Sequence, residues 1–235
     1  MRPVEKGPGP APLDPALDVE RERSRLRREL RDAIGRYCSY CERAVQSGIH
    51  LEHKQPKDAV PDNADAWANL LLACLNCNSS KPKRELHRTA YHWPDECNTA
   101  WVFSYGQDGE VHPNPELEDE QVARALRTLE LTGLDRGPGH PEHSGLDERW
   151  NDRREAWQIA AGQRINLALN PGSVQRDRIE QVARAVGFFS VWMTVFRDDP
   201  DMCHRFIAAF PGTACGCFDE NGAPKPSVER EGVDG

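Results

Sequence analysis

Two Cys-x2-Cys pairs, Cys38/Cys41 and Cys74/Cys77, stand 32 residues apart. No other feature of the chain restricts its folding as tightly. Two-residue spacing lets one tight turn present two thiolates to the same ion, and zinc takes four such ligands in a tetrahedron. The four cysteines are therefore expected to hold a structural Zn2+ that clips distant segments together and fixes the loop between residues 42 and 73. A four-cysteine site is closed, so this zinc performs no chemistry. Its binding adds folding free energy to a small module. A redox dithiol needs only one such pair and a thioredoxin-like surround, which the sequence lacks.

Four more cysteines, Cys97, Cys203, Cys215 and Cys217, lie outside the pattern. Cys-Gly-Cys is too tight for the usual knuckle, so small buried thiols are expected there; the sequence leaves open whether these four bind metal. Eight cysteines would suit a small secreted disulfide scaffold, but this chain has 235 residues. Its opening, MRPVEKGPGPAPLDP, has no apolar core of a secretory signal. No stretch approaches the roughly 18 apolar residues that a membrane span needs. A reducing, cytoplasmic setting is expected. The net charge of −8 argues against coating nucleic acid through bulk charge. Any such grip must come from a local basic patch, a metal ion or a partner.

Along the chain, residues 1–16 are rich in Pro and Gly and read as extended. The stretch from Glu20 to Arg36 reads as a helix, with Leu26, Leu30 and Ile34 on one apolar stripe. Its other faces carry seven Arg against four acidic residues. Such charge reads either as a solvated face or as a surface for phosphates. WVFSYGQDGEVH, residues 101–112, reads as a hairpin with Trp101, Phe103 and Tyr105 alternating. Helices are expected from Glu116 to Gly133, from Leu146, and from a Ser173 N-cap through the apolar run near 195. Trp150 and Trp157 recur at a heptad interval and read as core. A short helix is expected from Asp201 to Phe210, followed by a loose polar tail.

Inside the cysteine clip sits IHLEHKQP, a strand that stops at Pro56. It carries Glu52 and His53. Asn69 follows, then Asn78 directly after the last cysteine, and Lys81. This constellation resembles the HNH, or ββα-metal, endonuclease motif. The family implies a carboxylate or His before a catalytic His on a strand, a central Asn, and a last His or Asn at the start of a short helix. Asn78 stands where His is common, and an amide oxygen suits Mg2+. On this reading His53 is the general base, since a neutral imidazole takes a proton from water near physiological pH. Glu52 and Asn78 are the ligands of a catalytic Mg2+ or Mn2+. Asn69 orients His53 or pins the loop, and Lys81 touches a phosphate. Strand neighbours point to opposite faces, so Glu52 and His53 converge on one ion only where the strand twists or ends. His50, His87 and His92 are expected to be structural.

The implied fold class is α+β and mainly helical: a small zinc-clipped ββα-metal module packed on a larger helical region. The expected divisions are an N-terminal segment and basic helix (1–36), the nuclease module (37–95), a hairpin and helical domain (96–218) and a tail (219–235). MRPVEKG, LEHKQPK, NLLLACLNCNSSK and YGQDGEV together look like the retron-associated and Septu-type antiphage HNH proteins. That resemblance implies a bacterial nuclease acting on nucleic acid, with DNA as first choice, beside an ABC/SMC-like ATPase. The chain has no Walker-type phosphate loop of its own. The competing readings are a zinc-clipped adaptor that has lost catalysis and an HNH ribonuclease.

Overall fold

A computed structural model describes residues 1–11, 18–61, 64–80 and 87–230. The chain is α+β and mainly helical. Helix α1, Val19–Ile34, starts where the Asp18 carboxylate accepts from the Glu20 amide at 2.9 Å, which satisfies one of the orphan N–H groups of the first turn. Leu26, Leu30 and Ile34 recur at four-residue spacing and are buried together. Each such burial stabilises by about 1.5–3 kcal/mol. The helix ends at Gly35, whose φ of 78° favours a residue without Cβ.

The buried stripe of α1 packs on a two-stranded antiparallel sheet. Strand β1 is His50–His53 and β2 is Leu70–Ala73, paired so that Glu52 faces Leu71 and His53 faces Leu70. Every residue of β2 is buried, which is why its LLLA run is continuous rather than alternating. It delivers Cys74 directly to helix α2, Leu75–Ser80, which packs back on both strands. The first knuckle sits against the same strand, with the Ser39 amide donating to Leu72 O at 2.8 Å.

Helix α3, Thr99–Val102, precedes strands β3, Phe103–Tyr105, and β4, Val111–Pro113. The expected hairpin is therefore present but shorter, and Trp101 belongs to α3. Its turn needs Gly109, because a Cβ there would lie 2.1 Å from Trp150 O. Helices α4 (Asp119–Thr132), α5 (Arg149–Leu169), α6 (Ser173–Val186), α7 (Phe189–Val195) and α8 (Pro200–Ala209) complete the chain.

The single helix expected from Ser173 onward is broken between α6 and α7. Gly187 and Phe188 adopt φ values of 82° and 57°. The physical reason is a docking contact. Gly187 pairs with Arg43, the Phe188 amide donates to Glu42 O, and the Glu42 carboxylate accepts from the Ser190 amide and hydroxyl at 2.9 and 2.6 Å. The residue just after Cys41 thus bends the helical region. Gly172, not Ser173, occupies the cap position of α6.

The tail is not loose through residue 230. The Asn98 amide donates to Val228 O, Cys97 pairs with Glu229, and Arg230 donates to Val4 O. Composition alone hid these backbone contacts. At the other end Met1 and Val4 are buried.

Among the described residues, the apolar side chains form two cores. The first joins Leu26, Leu30 and β2 to Trp93, Phe103, Val111 and Leu129. The second joins Ala156, Ile179, Trp192, Phe196, Phe206 and Phe210. The expected divisions at 36/37 and 95/96 cut through the first core.

Candidate active site and metal centre

The two knuckles meet. The Sγ atoms of Cys38, Cys41, Cys74 and Cys77 lie within 4.8 Å of one another, and all four residues are buried. Cys41 and Cys74 sulfurs are 3.7 Å apart. A tetrahedron with Zn–S of about 2.3 Å has a sulfur–sulfur edge of about 3.8 Å, so the donor set fits zinc. The thiols alone would not share charge comfortably. Burial pushes Cys38 and Cys77 well up, hydrogen bonding from Cys38 pushes Cys41 well up, and hydrogen bonds from the other three pull Cys74 down. A bound dication would let all four stand as thiolates together.

Arg149 closes this centre from α5. Its guanidinium is almost wholly buried and donates to Cys77 Sγ at 3.0 Å, to Thr132 O at 2.7 Å and to the Asp147 carboxylate. Asp147 in turn accepts from Asn76 on α2 at 3.1 Å. A tetrathiolate zinc carries net negative charge, which this buried cation offsets. Nothing in the spacing of the cysteines pointed to Arg149, because it lies 72 positions from Cys77.

His53 ends β1. Its Nε2 is 2.7 Å from Asp65 Oδ1, and Arg23 of α1 reaches both oxygens of the same carboxylate at 3.3 and 3.1 Å. Burial lowers the His53 value below that of an ordinary imidazole, against the opposing pull of Asp65. Burial acts to raise Asp65, but the bond to His53 and the Arg23 charge hold it below the usual carboxylate range. A neutral imidazole facing an ionised carboxylate must donate through Nε2, which puts the lone pair on Nδ1. Sequence reading missed Asp65 and Arg23. Asp65 is one acid among several in a polar loop, and only the fold brings it to His53.

Asn69 ends the short 3-10 turn Trp67–Asn69. Its side chain accepts from the Gln55 amide at 2.8 Å and donates to Gln55 O and Ala64 O at 3.2 and 2.9 Å. It ties together the chain just after His53 and the chain just before Asp65. Lys54, next to His53, is fully buried and pairs with Asp95 at 2.8 Å and with Glu96. These anchors hold the strand end still.

Glu52 is the residue before His53 on β1. It is 1% exposed, and Oε1 accepts from the Tyr40 hydroxyl at 3.1 Å. Asn78 is half-buried on α2, in the turn begun by Cys74. The carboxylate and amide are hard oxygen donors of the kind Mg2+ takes. They stand on β1 and on the helix packed against it. Lys81 lies outside the described residues.

Among the described residues, the four knuckle cysteines are the one group of three or more close His, Cys, Asp or Glu ligands. Cys97, Cys203, Cys215 and Cys217 are free thiols outside any such group, and Cys215 is exposed. His92 is buried, with Nε2 directed at Gln121 O.

Residues 38–84 match the family model for HNH endonuclease. This segment, with its four-cysteine cluster, fits an HNH module with zinc knuckles. A comparison with curated proteins finds no match. The HNH module supports a nuclease function and a nucleic-acid substrate. No helix among the described residues is long and apolar enough to cross a membrane.

Proposed function

We propose that the protein is a metal-dependent HNH endonuclease that hydrolyses DNA phosphodiester bonds. We further place it in the bacterial cytoplasm as the effector subunit of an antiphage defence system, beside an ABC/SMC-like ATPase. The observation that carries the nuclease reading is His53, fixed at the end of β1 by Asp65 inside a module that the zinc centre braces. The wider assignment rests on the resemblance of the sequence to Septu-type and retron-associated proteins. Co-purification with an ATPase of that class would test it.

In this reading neutral His53 accepts the proton of an attacking water through Nδ1. The water oxygen bonds phosphorus, the phosphorus–oxygen bond to the 3′ side breaks, and the departing oxygen takes a proton from solvent. Asp65 holds the ring orientation and the tautomer. Asn69 fixes the two segments that carry His53 and Asp65. Glu52 and Asn78 would hold Mg2+ or Mn2+, which when bound supplies charge stabilisation at the phosphate and leaving oxygen. Lys81 remains the proposed phosphate contact.

The near-complete burial of Glu52 under Tyr40 favours a second reading, an adaptor module in which Glu52 is structural. A plasmid-nicking assay with Mg2+, with EDTA and with His53→Ala separates the two. General-base removal costs about 10²–10⁴-fold in rate. Asp65→Asn is expected to slow nicking by about 10²-fold with KM little changed, and Asp65→Glu to restore part of it. Wild-type nicking by zinc-loaded His53→Ala would sink the mechanism. An inert wild-type protein, with any co-purified ATPase present, would favour the adaptor.

A further inference from the structure

We infer that a basic groove between the end of α1 and the end of α6 holds the phosphate backbone of the nucleic-acid strand presented to His53. The inference rests on the nuclease reading for its orientation, but its own support is separate. The groove has a volume of about 300 Å³. Arg31 and Arg36 enter it from α1 and its exit, Arg184 from α6, with Tyr37 and Gln46 on its walls. Asp32 is the one acidic side chain among its described lining residues.

Three observations point to phosphate. The first is the pattern of ion pairs along α1. Arg21, Arg23 and Arg25, in its first half, pair with Asp18, Asp65 and Glu22. Among the described residues, no carboxylate pairs with Arg27, Arg28, Arg31, Arg36 or Arg184. Asp18, Glu22 and Asp65 thus occupy the arginines near His53, while among the described residues Glu29 and Asp32 in the second half of α1 form no ion pair and leave Arg27, Arg28 and Arg31 unpaired.

The second is register. Arg23, Arg27 and Arg31 are spaced by four, so they follow one ridge of the helix. Arg23 touches the partner of His53, and Arg31 lines the groove. Eight residues of helix rise about 12 Å, which matches three to four nucleotides of one strand at about 3.4 Å each. A strand with its scissile phosphate at His53 would follow this ridge into the groove.

The third is the overall balance. A chain of net charge −8 repels a polyanion at long range, so its grip needs a metal ion, a partner or a local positive surface, and this groove supplies the last. Arginine suits that role, since its fork donates to two phosphate oxygens at once.

The test uses the full-length, zinc-loaded protein carrying His53→Ala, so that the probe stays intact. It is titrated into fluorescein-labelled DNA and RNA duplexes between about 50 and 200 mM KCl, and anisotropy gives Kd and its salt slope. Adding Arg31→Gln, Arg36→Gln and Arg184→Gln together is expected to raise Kd at least about tenfold. It should lower the slope by two to three, at about 0.9 for each phosphate that is no longer neutralised. Arg197→Gln, an exposed arginine outside the groove, should leave both unchanged. If the triple variant loses zinc or melts early, the three single variants are measured instead, each expected to lower the slope by about one.

An unchanged Kd and slope in the groove variants would overturn the proposal, as would an equal loss in Arg197→Gln or a parent that binds neither duplex. Binding of RNA alone would keep the groove and change the substrate. A His53→Ala protein that still nicks DNA would remove the nuclease mechanism and leave the groove standing, so the two failures are distinct.

Discussion

The two cores of this protein are held by different forces. The first, around the HNH module, encloses charge. Glu42, Glu52, Lys54, Asn69, Arg149 and Arg153 are all buried in or beside it. The second has few buried polar side chains of its own, with Glu42 and Arg2 reaching it from outside at Ser190 and Thr213. Of the described buried polar side chains, only Ser190 and Thr213 fall within its span from Ala156 to Phe218. Its centre is a packed set of rings, with Trp192, Phe196 and Phe206 centroids 5.5–6.3 Å apart. The first core therefore depends on a bound ion and satisfied partners, while the second depends on buried area. A region that must aim reactive side chains needs fixed polar contacts. A region that supports it needs only to exclude water.

The comparison breaks most decisively at the zinc. Structural zinc contributes about 10–16 kcal/mol in small modules, as much as the whole stability of an ordinary domain. Cys74→Ser is expected to lose zinc and the amide-exchange protection of β1 and β2. Amides of α7 and α8 should remain protected. Metal analysis with hydrogen exchange checks this, and equal loss of protection in α8 would show that the cores are one cooperative unit.

The converse change strikes the second core. Phe206→Ala removes a fully buried ring and should destabilise by about 3–5 kcal/mol, read as a fall in urea midpoint. One zinc per chain should be retained. If zinc is lost as well, the contact of Glu42 with Ser190 transmits more than the contrast allows.

The smallest effect concerns pH. His92, in the first region, is pulled down to about 4, first by burial and next by the Arg124 charge. Its Nδ1 has no hydrogen-bond partner among the described residues. The folded value lies below the unfolded 6.5, so the unfolded chain binds a proton that the folded chain refuses. Stability from the neutral ring is then complete above pH 6.5 and falls as pH drops toward 4. Between pH 7 and pH 5 the loss is about 2 kcal/mol. His92→Gln should lack that slope in urea unfolding at the two pH values. The same slope in the variant would place the sensitivity elsewhere.

Much of the fold was legible because its signals are local. The stripe of Leu26, Leu30 and Ile34 gave α1, and the apolar residues before Pro56 marked β1, whereas β2 was not read from its own residues. Where the reading failed, a distant contact decided. Gly187 and Phe188 look like the interior of a helix until Glu42 captures the Phe188 amide. Residues 219–230 look loose until Asn98 donates to Val228 and Val4 accepts from Arg230.

By itself the sequence determined the four-cysteine cluster and the place of His53 on its strand, since knuckle spacing and a strand before Pro56 are properties of neighbouring residues. Only the tertiary structure decided what surrounds them. Asp65 and Arg23 reach His53, Arg149 reaches Cys77, and Tyr40 takes Glu52. These pairings depend on which surfaces lose water together when the chain closes, and separation along a sequence does not encode that.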